Sequence, residues 1–254
     1  MPRKIKLFSG NDIDSLYHDT TKAIVTEGTE LKFGSQREIK YARELFIVLQ
    51  VYGKAIYDIL AGKTPKGFIW SGQKIKEFQR SFIEDIINPS GFEYTYGELL
   101  KKYPMGGGKT FDQLFAAKES LAYDVRHDIQ SNRNVGVLWS PIFMGNDNCP
   151  CFNLYQIRYL GGNKVSLVLF FRSHDYSDAI WANLSSIAYA FNYYVFAPNL
   201  CVIEEIIVIS TSAHFYKHSG QQAEEITGIP WDFLGIEIDE KELHVPHGCD
   251  QSVI

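Results

Sequence analysis

The sequence predicts a single α+β domain that spans residues 1–254, and three observations support this fold class. Apolar residues in the first half of the chain recur at helical spacing. From residue 134 onward, short runs rich in Val, Ile, Phe and Tyr are typical of strands. Between the last two runs lies the nearly uncharged segment IWANLSSIAYAFNYYVF, residues 180–196. A helix this apolar favours a core position, so we expect it to be a buried central helix.

Three helices are predicted in the first half. Residues 36–61 and 73–87 both place apolar side chains at helical spacing, and the turn-forming residues Asn88–Gly91 end the second helix. Residues 110–129 show the same spacing. The intervening residues 101–109 contain one proline and three glycines, so we expect a loop there.

Four strands are predicted in the second half. Their sequences, VGVLWSPIFM, FNLYQIRYL, KVSLVLFFRS and CVIEEIIVIST, occupy residues 135–144, 152–160, 164–173 and 201–211. The tripeptide GGN at residues 161–163 predicts a hairpin turn between the second and third strands.

The composition excludes several classes of protein. Apolar residues make up 45% of the chain and aromatic residues 14%, which argues against disorder. No stretch approaches the roughly 20 uncharged apolar residues that cross a bilayer, and MPRKIKLFSGNDID lacks the apolar core of a signal peptide. We therefore expect a cytoplasmic protein with no membrane partner. The net charge of −5 and the absence of a basic run argue against a nucleic-acid partner.

The cysteines pose the sharpest chemical question. Cys149 and Cys151 are separated by one proline, a spacing that strains a disulfide and is too short for the usual zinc ligand pairs. His244, His247 and Cys249 could bind a metal, although a polar tail is the favoured interpretation. We predict no metal site. A cysteine such as Cys151, taken by itself, is more often a small buried apolar residue than a nucleophile.

An ordered series of motifs addresses this question. Cys151, FNLYQIRYL, FFRSHD, Asn183 and HFY, in this order and spacing, resemble the thymidylate synthase superfamily, which includes the phage deoxycytidylate hydroxymethylases. The resemblance covers residues 40–216. It implies a thymidylate-synthase-like mixed sheet packed around the buried helix. It also implies a pyrimidine nucleoside monophosphate as substrate and 5,10-methylenetetrahydrofolate as co-substrate.

The resemblance implies four catalytic residues. Cys151 matches the nucleophile that attacks C6 of the pyrimidine. Arg172 matches the arginine that binds the substrate phosphate and favours the cysteine thiolate. RELFIVLQ resembles the family's helix that carries the catalytic glutamate, which assigns this role to Glu44. Tyr96 matches a tyrosine of the proton-transfer water network. These residue types suit the chemistry, because C5 becomes nucleophilic only after a thiolate has added to C6.

Further residues match binding positions. Asn183 matches the residue that contacts the pyrimidine edge, and SNRNVGVLW resembles the phosphate-binding strand of the partner subunit. Of the two arginines of that strand only Arg133 is present, and Asn132 occupies the other position. The resemblance thus implies a homodimer with shared active sites. The other implied substrate-binding residues are Gln156, Ser173, His214 and Tyr216, and the implied folate-binding residues are Asp175 and Trp70.

Each of these residues also has a structural alternative. Glu44 could be a solvated helix residue, and Arg172 with Asp175 could be a surface ion pair. Asn183 could be a hydrogen-bonded core residue, and Trp70 could belong to the core. Chance explains the shared order and spacing poorly, so we favour the family assignment.

The sequence departs from the synthase pattern in informative ways. Phe152-Asn153 after the nucleophile and Ser212 before His214 resemble the hydroxymethylases, whereas Asn183 is the synthase residue. An amide can pair with both the N3–H and O4 of uracil, so a uracil nucleotide is favoured over a cytosine nucleotide. The balance of matches favours hydroxymethylation over reductive methylation. Thymidylate synthase proper, a nucleotide-binding protein without turnover and a metal-binding protein remain alternatives.

Overall fold

The structure is a computed structural model that describes residues 4–34, 39–84, 94–144 and 149–232. It confirms the α+β class and the large mixed sheet. The elements of the first half are β1 (Ile5–Gly10), α1 (Ile13–Glu27), β2 (Thr29–Gly34), β3 (Ile39–Tyr52), α2 (Lys54–Leu60), α3 (Gly72–Ile83), α4 (Tyr96–Lys101), β4 (Tyr103–Gly106), β5 (Lys109–Phe111) and α5 (Gln113–His127). Those of the second half are β6 (Asn134–Val137), β7 (Phe152–Gly161), β8 (Lys164–Phe171), β9 (His174–Asp175), α6 (Ile180–Phe191), β10 (Val202–Tyr216) and α7 (Gly220–Thr227).

The main sheet is centred on two long strands, β3 and β10. Its order is β1-β3-β10-β8-β7-β6, with β2 added to β3 and β9 added to β10. The β1–β3, β10–β8 and β10–β9 pairs are parallel, and the other pairs are antiparallel. This arrangement brings segments that are far apart in the sequence to one end of the sheet, where β9 and the second half of β10 lie.

The predicted buried central helix is confirmed as α6. Ten of its side chains are buried, and a π-helical turn at Asn192–Phe196 continues it. Ser185, one of the polar residues of α6, is hydrogen-bonded within the core. Its hydroxyl donates to the Ile59 carbonyl at 2.7 Å and accepts from Gln79 at 2.8 Å. In the part of the chain that the structure describes, no helix is long and apolar enough to cross a membrane.

The helix predicted over residues 36–61 is wrong. Residues Ile39–Tyr52 form β3, and only Lys54–Leu60 are helical. Along β3, buried residues from Leu45 to Val51 alternate with half-buried ones, as in a strand. The half-buried positions are mostly apolar too, so the alternation is hidden in the sequence and the apolar run fits a helix equally well. Glu44 therefore lies on a strand.

The other predictions for the first half of the chain were partly confirmed. Helices predicted over residues 73–87 and 110–129 are confirmed as α3 and α5, while Asn88–Gly91 lie outside the described residues. The predicted loop at 101–109 instead contains the short strand β4 and the first residue of β5, and three glycines with positive φ form the turn between these strands. Three elements that precede β3, namely β1, α1 and β2, were not predicted.

The predicted strands of the second half agree better with the structure. The strand predicted at 135–144 ends at Val137, and a 3-10 turn forms at Pro141–Phe143 because proline cannot donate to a strand ladder. The other three strands are present as β7, β8 and β10, and the GGN hairpin turn joins β7 to β8. All three of its residues adopt positive φ, which favours glycine and asparagine.

Candidate functional site

The end of the sheet where β9 joins β10 collects several of the candidate residues. His214 on β10 pairs in register with Glu44 on β3 and with Asp175 on β9, so the three residues form one row across three strands. Glu44 and His214 are only 4% and 2% exposed. A carboxylate and an imidazole this deeply buried need polar partners, which makes the row a candidate site rather than ordinary core.

Cys151 lies beside this row, immediately before β7, and is tied to Arg172 at the end of β8. The backbone N–H of Arg172 donates to the Cys151 carbonyl at 3.0 Å. Its guanidinium donates to the Pro150 carbonyl at 3.0 Å and to the Cys149 carbonyl at 2.7 Å. Arg172 thus holds the backbone on which Cys151 is presented.

Opposing effects act on the pKa of the Cys151 thiol. Burial raises the pKa of Cys151 above its usual value, and the Arg172 charge and a hydrogen bond from Ser173 act in the opposite direction. Burial also raises the pKa of Tyr96 well above 10, and a Cys151 thiolate adds to this shift. The Tyr96 hydroxyl accepts the backbone N–H of Phe152 at 3.4 Å, which places it next to the cysteine. Near neutral pH the resting cysteine is a thiol.

A bulge in β10 organises the remaining polar contacts. The register with β3 shifts between Ser210 and Ala213. Within the bulge, Thr211 Oγ1 donates to the Arg172 carbonyl at 2.9 Å, and Ser212 Oγ donates to Glu44 Oε2 at 2.5 Å. Because a bulge breaks the strict alternation of side chains, successive residues of one strand can reach different members of the site.

His214 is held in a defined protonation state. Its Nδ1 lies 3.1 Å from the Ser212 carbonyl, which can only accept, so Nδ1 carries the proton. Burial lowers the pKa of His214, and the nearby Glu44 carboxylate opposes that shift. The Tyr216 ring packs edge-on against the imidazole at 4.7 Å. His214 and Tyr216, which sequence motifs grouped together, are therefore neighbours in the structure.

Asn183 lies in the first turn of α6, next to His174. Its Nδ2 lies 3.5 Å from Nε2 of His174, a residue that is 2% exposed. Burial, and to a smaller extent the neighbouring His214, lower the pKa of His174 from 6.5 to about 3. The imidazole is therefore neutral at ordinary pH. His174 precedes Asp175 on β9 and pairs with Ala213 on β10, so its contact with Asn183 lies next to the Glu44–His214–Asp175 row.

The two candidate folate-binding residues lie on neighbouring segments. Asp175 Oδ1 accepts from the N–H of Ser177 at 2.8 Å and from its hydroxyl at 2.5 Å. The ring of Trp70 carries the Lys74 ammonium 3.9 Å from its centroid. Gln222 on α7 joins the two segments, because its Nε2 donates to the Ser177 carbonyl at 2.9 Å and to the Gly67 carbonyl at 3.1 Å.

A second carboxyl group accompanies Asp175. Asp178 is hydrogen-bonded to Asp175, and partial burial together with the Asp175 charge raises the pKa of Asp178 to about 6. The Lys74 charge acts on Asp178 in the opposite direction, so the Trp70 and Asp175 segments are also linked electrostatically. Carboxylates can accept the N–H groups of a pterin, and an indole can stack on its ring, so these residues fit a folate.

Two predicted substrate residues lie apart from this cluster. Gln156 projects from the outer face of β7, and its Nε2 donates to the Asn132 carbonyl at 2.9 Å. Arg133 is exposed next to β6. In the described ranges, no hydrogen bond or ion pair joins either side chain to the residues around Cys151. These two residues would need a second chain to act together with the cluster.

The cysteines of the described residues form no disulfide. Cys149, Cys151 and Cys201 are free thiols. Within residues 4–232, apart from the gaps given above, no three His, Cys, Asp or Glu side chains are placed to hold a metal ion. The predicted alternative site at His244, His247 and Cys249 lies outside the described residues.

Sequence reasoning missed several residues that the structure brings to the site: His174, Ser210, Asp178 and Gln222. His174 lies within the FFRSHD motif and Asp178 follows it by three residues, so their proximity to Asp175 in the sequence was a signal. Ser212 was noted only as a motif match, and its contact with Glu44 depends on the bulge. Ser210 and Gln222 carry no sequence signal of their own, because their contacts arise from the register and packing of distant elements.

Comparison with known proteins gives a consistent result. A family model described as thymidylate synthase matches residues 41–245. A protein of Methanothermobacter thermautotrophicus named "Putative thymidylate synthase" is 31% identical over 175 residues, which cover 68% of this chain and 72% of that protein. A protein of the same name from Methanococcoides burtonii is 25% identical over 222 residues, which cover 87% of this chain and 94% of the relative.

The Arg172 charge should control the reactivity of Cys151. Replacing Arg172 with Gln removes the charge that favours the thiolate, so the pKa of Cys151 should rise and its alkylation near pH 8 should slow about tenfold per unit of pKa. Iodoacetamide labelling in a Cys149→Ser background, followed by mass spectrometry, measures this rate. Arg172→Lys, which keeps the charge, should retain most of the rate. Equal rates in all three proteins would contradict the electrostatic account.

Burial of His174 should make stability depend on pH. Its pKa is about 3 when folded and near 6.5 when unfolded, so between these values the unfolded chain binds a proton that the folded chain does not. Stability should therefore fall as pH falls, by about 2 kcal/mol between pH 7 and pH 5. In urea titrations, the free energy of unfolding of His174→Phe should lack this part of the pH dependence. An exposed control, His218→Phe, should keep it, and an unchanged slope in His174→Phe would contradict the prediction.

Proposed function

The chain belongs to the thymidylate synthase family, and on that premise we propose that it transfers a one-carbon unit to C5 of a pyrimidine nucleoside 5′-monophosphate. The observation that carries the proposal is the cluster in which Arg172 and Ser173 contact Cys151 beside the buried Glu44–His214–Asp175 row. The co-substrate 5,10-methylenetetrahydrofolate supplies the one-carbon unit.

Cys151 is the nucleophile in this proposal. Its thiolate adds to C6 of the pyrimidine, and the electron pair of the C5–C6 bond moves towards C5 and O4, so C5 becomes nucleophilic. Because burial raises the pKa of the resting thiol, its proton must leave when the substrate binds. Arg172 favours the thiolate by its charge and, as in the family, would also contact the substrate phosphate. Ser173 supports both roles as a hydrogen-bond donor.

Glu44 is the proposed proton-transfer group. Its carboxylate is buried and accepts a hydrogen bond from Ser212, which fixes the direction of one oxygen. A fixed carboxylate near the base can exchange protons with O4 and C5 through ordered water. Tyr96 lies on the other side of Cys151 and keeps its hydroxyl proton at neutral pH, so it can donate a hydrogen bond to that water network.

Asn183, His214 and Tyr216 are proposed to bind the nucleoside. Asn183 faces the base, and its amide pairs with N3–H and O4 of uracil, so we favour a uracil nucleotide. His214 and Tyr216 lie in contact and offer a ring nitrogen and a hydroxyl to the sugar. Asp175, supported by Ser177, would accept N–H groups of the folate pterin, and Trp70 would stack on it.

The fate of the one-carbon unit distinguishes two candidate reactions. We favour hydroxymethylation, because Asn153 occupies a position near the nucleophile where the hydroxymethylases carry asparagine. Its Oδ1 accepts the Arg172 N–H at 2.8 Å, so this asparagine is part of the Cys151–Arg172 unit. The second candidate is reductive methylation, as in thymidylate synthase proper, and the names of the relatives favour it. Asn132 in place of an arginine favours a third candidate, a nucleotide-binding homologue without turnover.

Mass spectrometry of the product tests these candidates. The protein is incubated with methylenetetrahydrofolate and separately with dUMP, dCMP, UMP or CMP. We expect a uracil nucleotide to gain one methylene unit and one oxygen, and Cys151→Ser to lose turnover by at least about 10³-fold because the nucleophile is gone. A gain of the methylene unit alone means reductive methylation. No product from folded protein with any nucleotide would contradict the enzymatic proposal.

We also propose a homodimer, which rests on the outer face of the sheet. One apolar row crosses six strands in register: Val137, Leu154, Phe170, Ile209, Val48 and Leu7. Its ends, Val137 and Leu7, are 45% and 69% exposed. A continuous apolar face of this extent favours packing against a second sheet. Arg133 lies at the edge of that face, from which it could reach the phosphate site of the partner.

Two experiments test the shared dimer. Ile209→Lys places a charge in the apolar row and should convert the dimer to a monomer in light scattering at micromolar concentration. Tyr57→Lys, which alters a side chain that is 73% exposed on α2, should stay dimeric. Mixing inactive Arg133→Gln with inactive Cys151→Ser should restore about a quarter of the activity, because half of the dimers then hold one intact site. A wild-type protein that is monomeric and fully active would contradict this proposal.

A further inference from the structure

His174 is a buried polar residue for which the proposed mechanism has no role. Its ring stacks on Phe171 with 3.8 Å between ring centroids and 9° between ring planes. Its Nδ1 lies 3.1 Å from Ser210 Oγ and its Nε2 lies 3.5 Å from Asn183 Nδ2. The stack fixes the plane of the ring, and the two polar contacts fix the rotation within that plane. Such a ring can only present Nε2 to the Asn183 amide.

We propose that His174 is a positioning residue that sets the choice between uracil and cytosine by fixing the orientation of the Asn183 amide. This inference rests on the proposed function, because it assigns the base selectivity of the same site. The residue touches neither the nucleotide nor the folate, and it acts through Asn183 alone.

The contacts define one protonation pattern. With Asn183 Nδ2 facing Nε2, the imidazole must carry its proton on Nδ1, because two N–H donors cannot share a hydrogen bond. Nδ1 then donates to Ser210 Oγ. The ring stays neutral at ordinary pH, since burial and the neighbouring His214 both lower the pKa of His174. A neutral ring with a lone pair on Nε2 accepts one N–H of the Asn183 amide.

The remaining edge of the amide then selects the base. One N–H of Asn183 is taken by His174, and the other N–H lies beside Oδ1. This pair donates to O4 and accepts N3–H, which matches uracil. Cytosine requires the amide to turn over, and Oδ1 would then face the lone pair on Nε2. This repulsion is relieved only if the His174 proton moves from Nδ1 to Nε2 and the Ser210 hydroxyl changes from acceptor to donor. Binding of cytosine therefore carries an additional cost in free energy.

Nucleotide binding to the full chain tests the inference. Isothermal titration measures the affinities for dUMP and dCMP, with UMP and CMP as the ribose pair. His174→Phe keeps a ring on Phe171 but removes both nitrogens, so the Asn183 amide can turn freely. We expect uracil affinity to fall, cytosine affinity to rise and their ratio to drop about tenfold, a change typical of one hydrogen bond. Ser210→Ala should shift the ratio in the same direction by a smaller factor.

The control is Tyr155→Phe, which removes a buried hydroxyl that donates to the Gln113 carbonyl at 3.3 Å, away from the site. A merely structural loss lowers both affinities in parallel and leaves the ratio unchanged, as we expect for this control. If folded His174→Phe keeps the ratio within twofold of wild type while wild type discriminates, the inference alone is overturned. If wild type binds none of the four nucleotides, the proposed function falls and the inference falls with it.

A spectroscopic measurement covers the case in which His174→Phe does not fold. Nitrogen-15 NMR of wild-type protein labelled at histidine reports which ring nitrogen is protonated. We expect His174 to carry its proton on Nδ1, both alone and with dUMP, between about pH 5 and pH 8. Ser210→Ala should introduce the other tautomer. A His174 ring protonated on Nε2 in the dUMP complex would overturn the inference.

Discussion

The register shift in β10 is the constraint on which the site depends. From Ile206 to Ser210, β10 is a regular strand whose buried side chains alternate with half-buried ones, as the core requires. After Ser212 this alternation stops, and four consecutive residues from Ser212 to Phe215 are buried. Around this bulge, Ser210, Thr211 and Ser212 contact three different partners on three other segments. One local irregularity thus joins His174, Arg172 and Glu44 into one unit.

Burial of the titratable side chains in the site also determines their protonation states in the absence of substrate. Burial lowers the pKa values of His174 and His214 and raises those of Cys151 and Tyr96, so all four groups are neutral near pH 7. The neutral forms of these four groups avoid the cost of burying further charges beside Arg172 and Glu44. In the proposed mechanism the Cys151 thiolate would therefore form only when substrate binds, and the Arg172 charge would favour that step. The proposed mechanism thus couples substrate binding to activation of the thiol.

The sequence was most informative where function depends on the order of residues along the chain. The spacing from Cys151 through Arg172 to Asn183 indicated the family, and the apolar segment around Ile187 predicted the buried helix. Glu44 was selected by the same resemblance but assigned to a helix, because both faces of β3 are rich in apolar residues and conceal its alternation. The roles of Ser210 and His174 could not be predicted, since they follow from strand register and ring stacking between distant segments.

The two faces of β8 connect the proposed dimer to the proposed chemistry. Phe170 points outward into the apolar row, Phe171 points inward and stacks on His174, and Arg172 follows at the end of the strand. Covering the outer row with a second sheet would restrict the motion of β8, because side chains on the two faces share one backbone. The same restriction would hold the His174 ring in place, and this ring is proposed to fix the orientation of the Asn183 amide. Association of two chains would therefore contribute to selectivity in both sites, beyond supplying Arg133 to the phosphate.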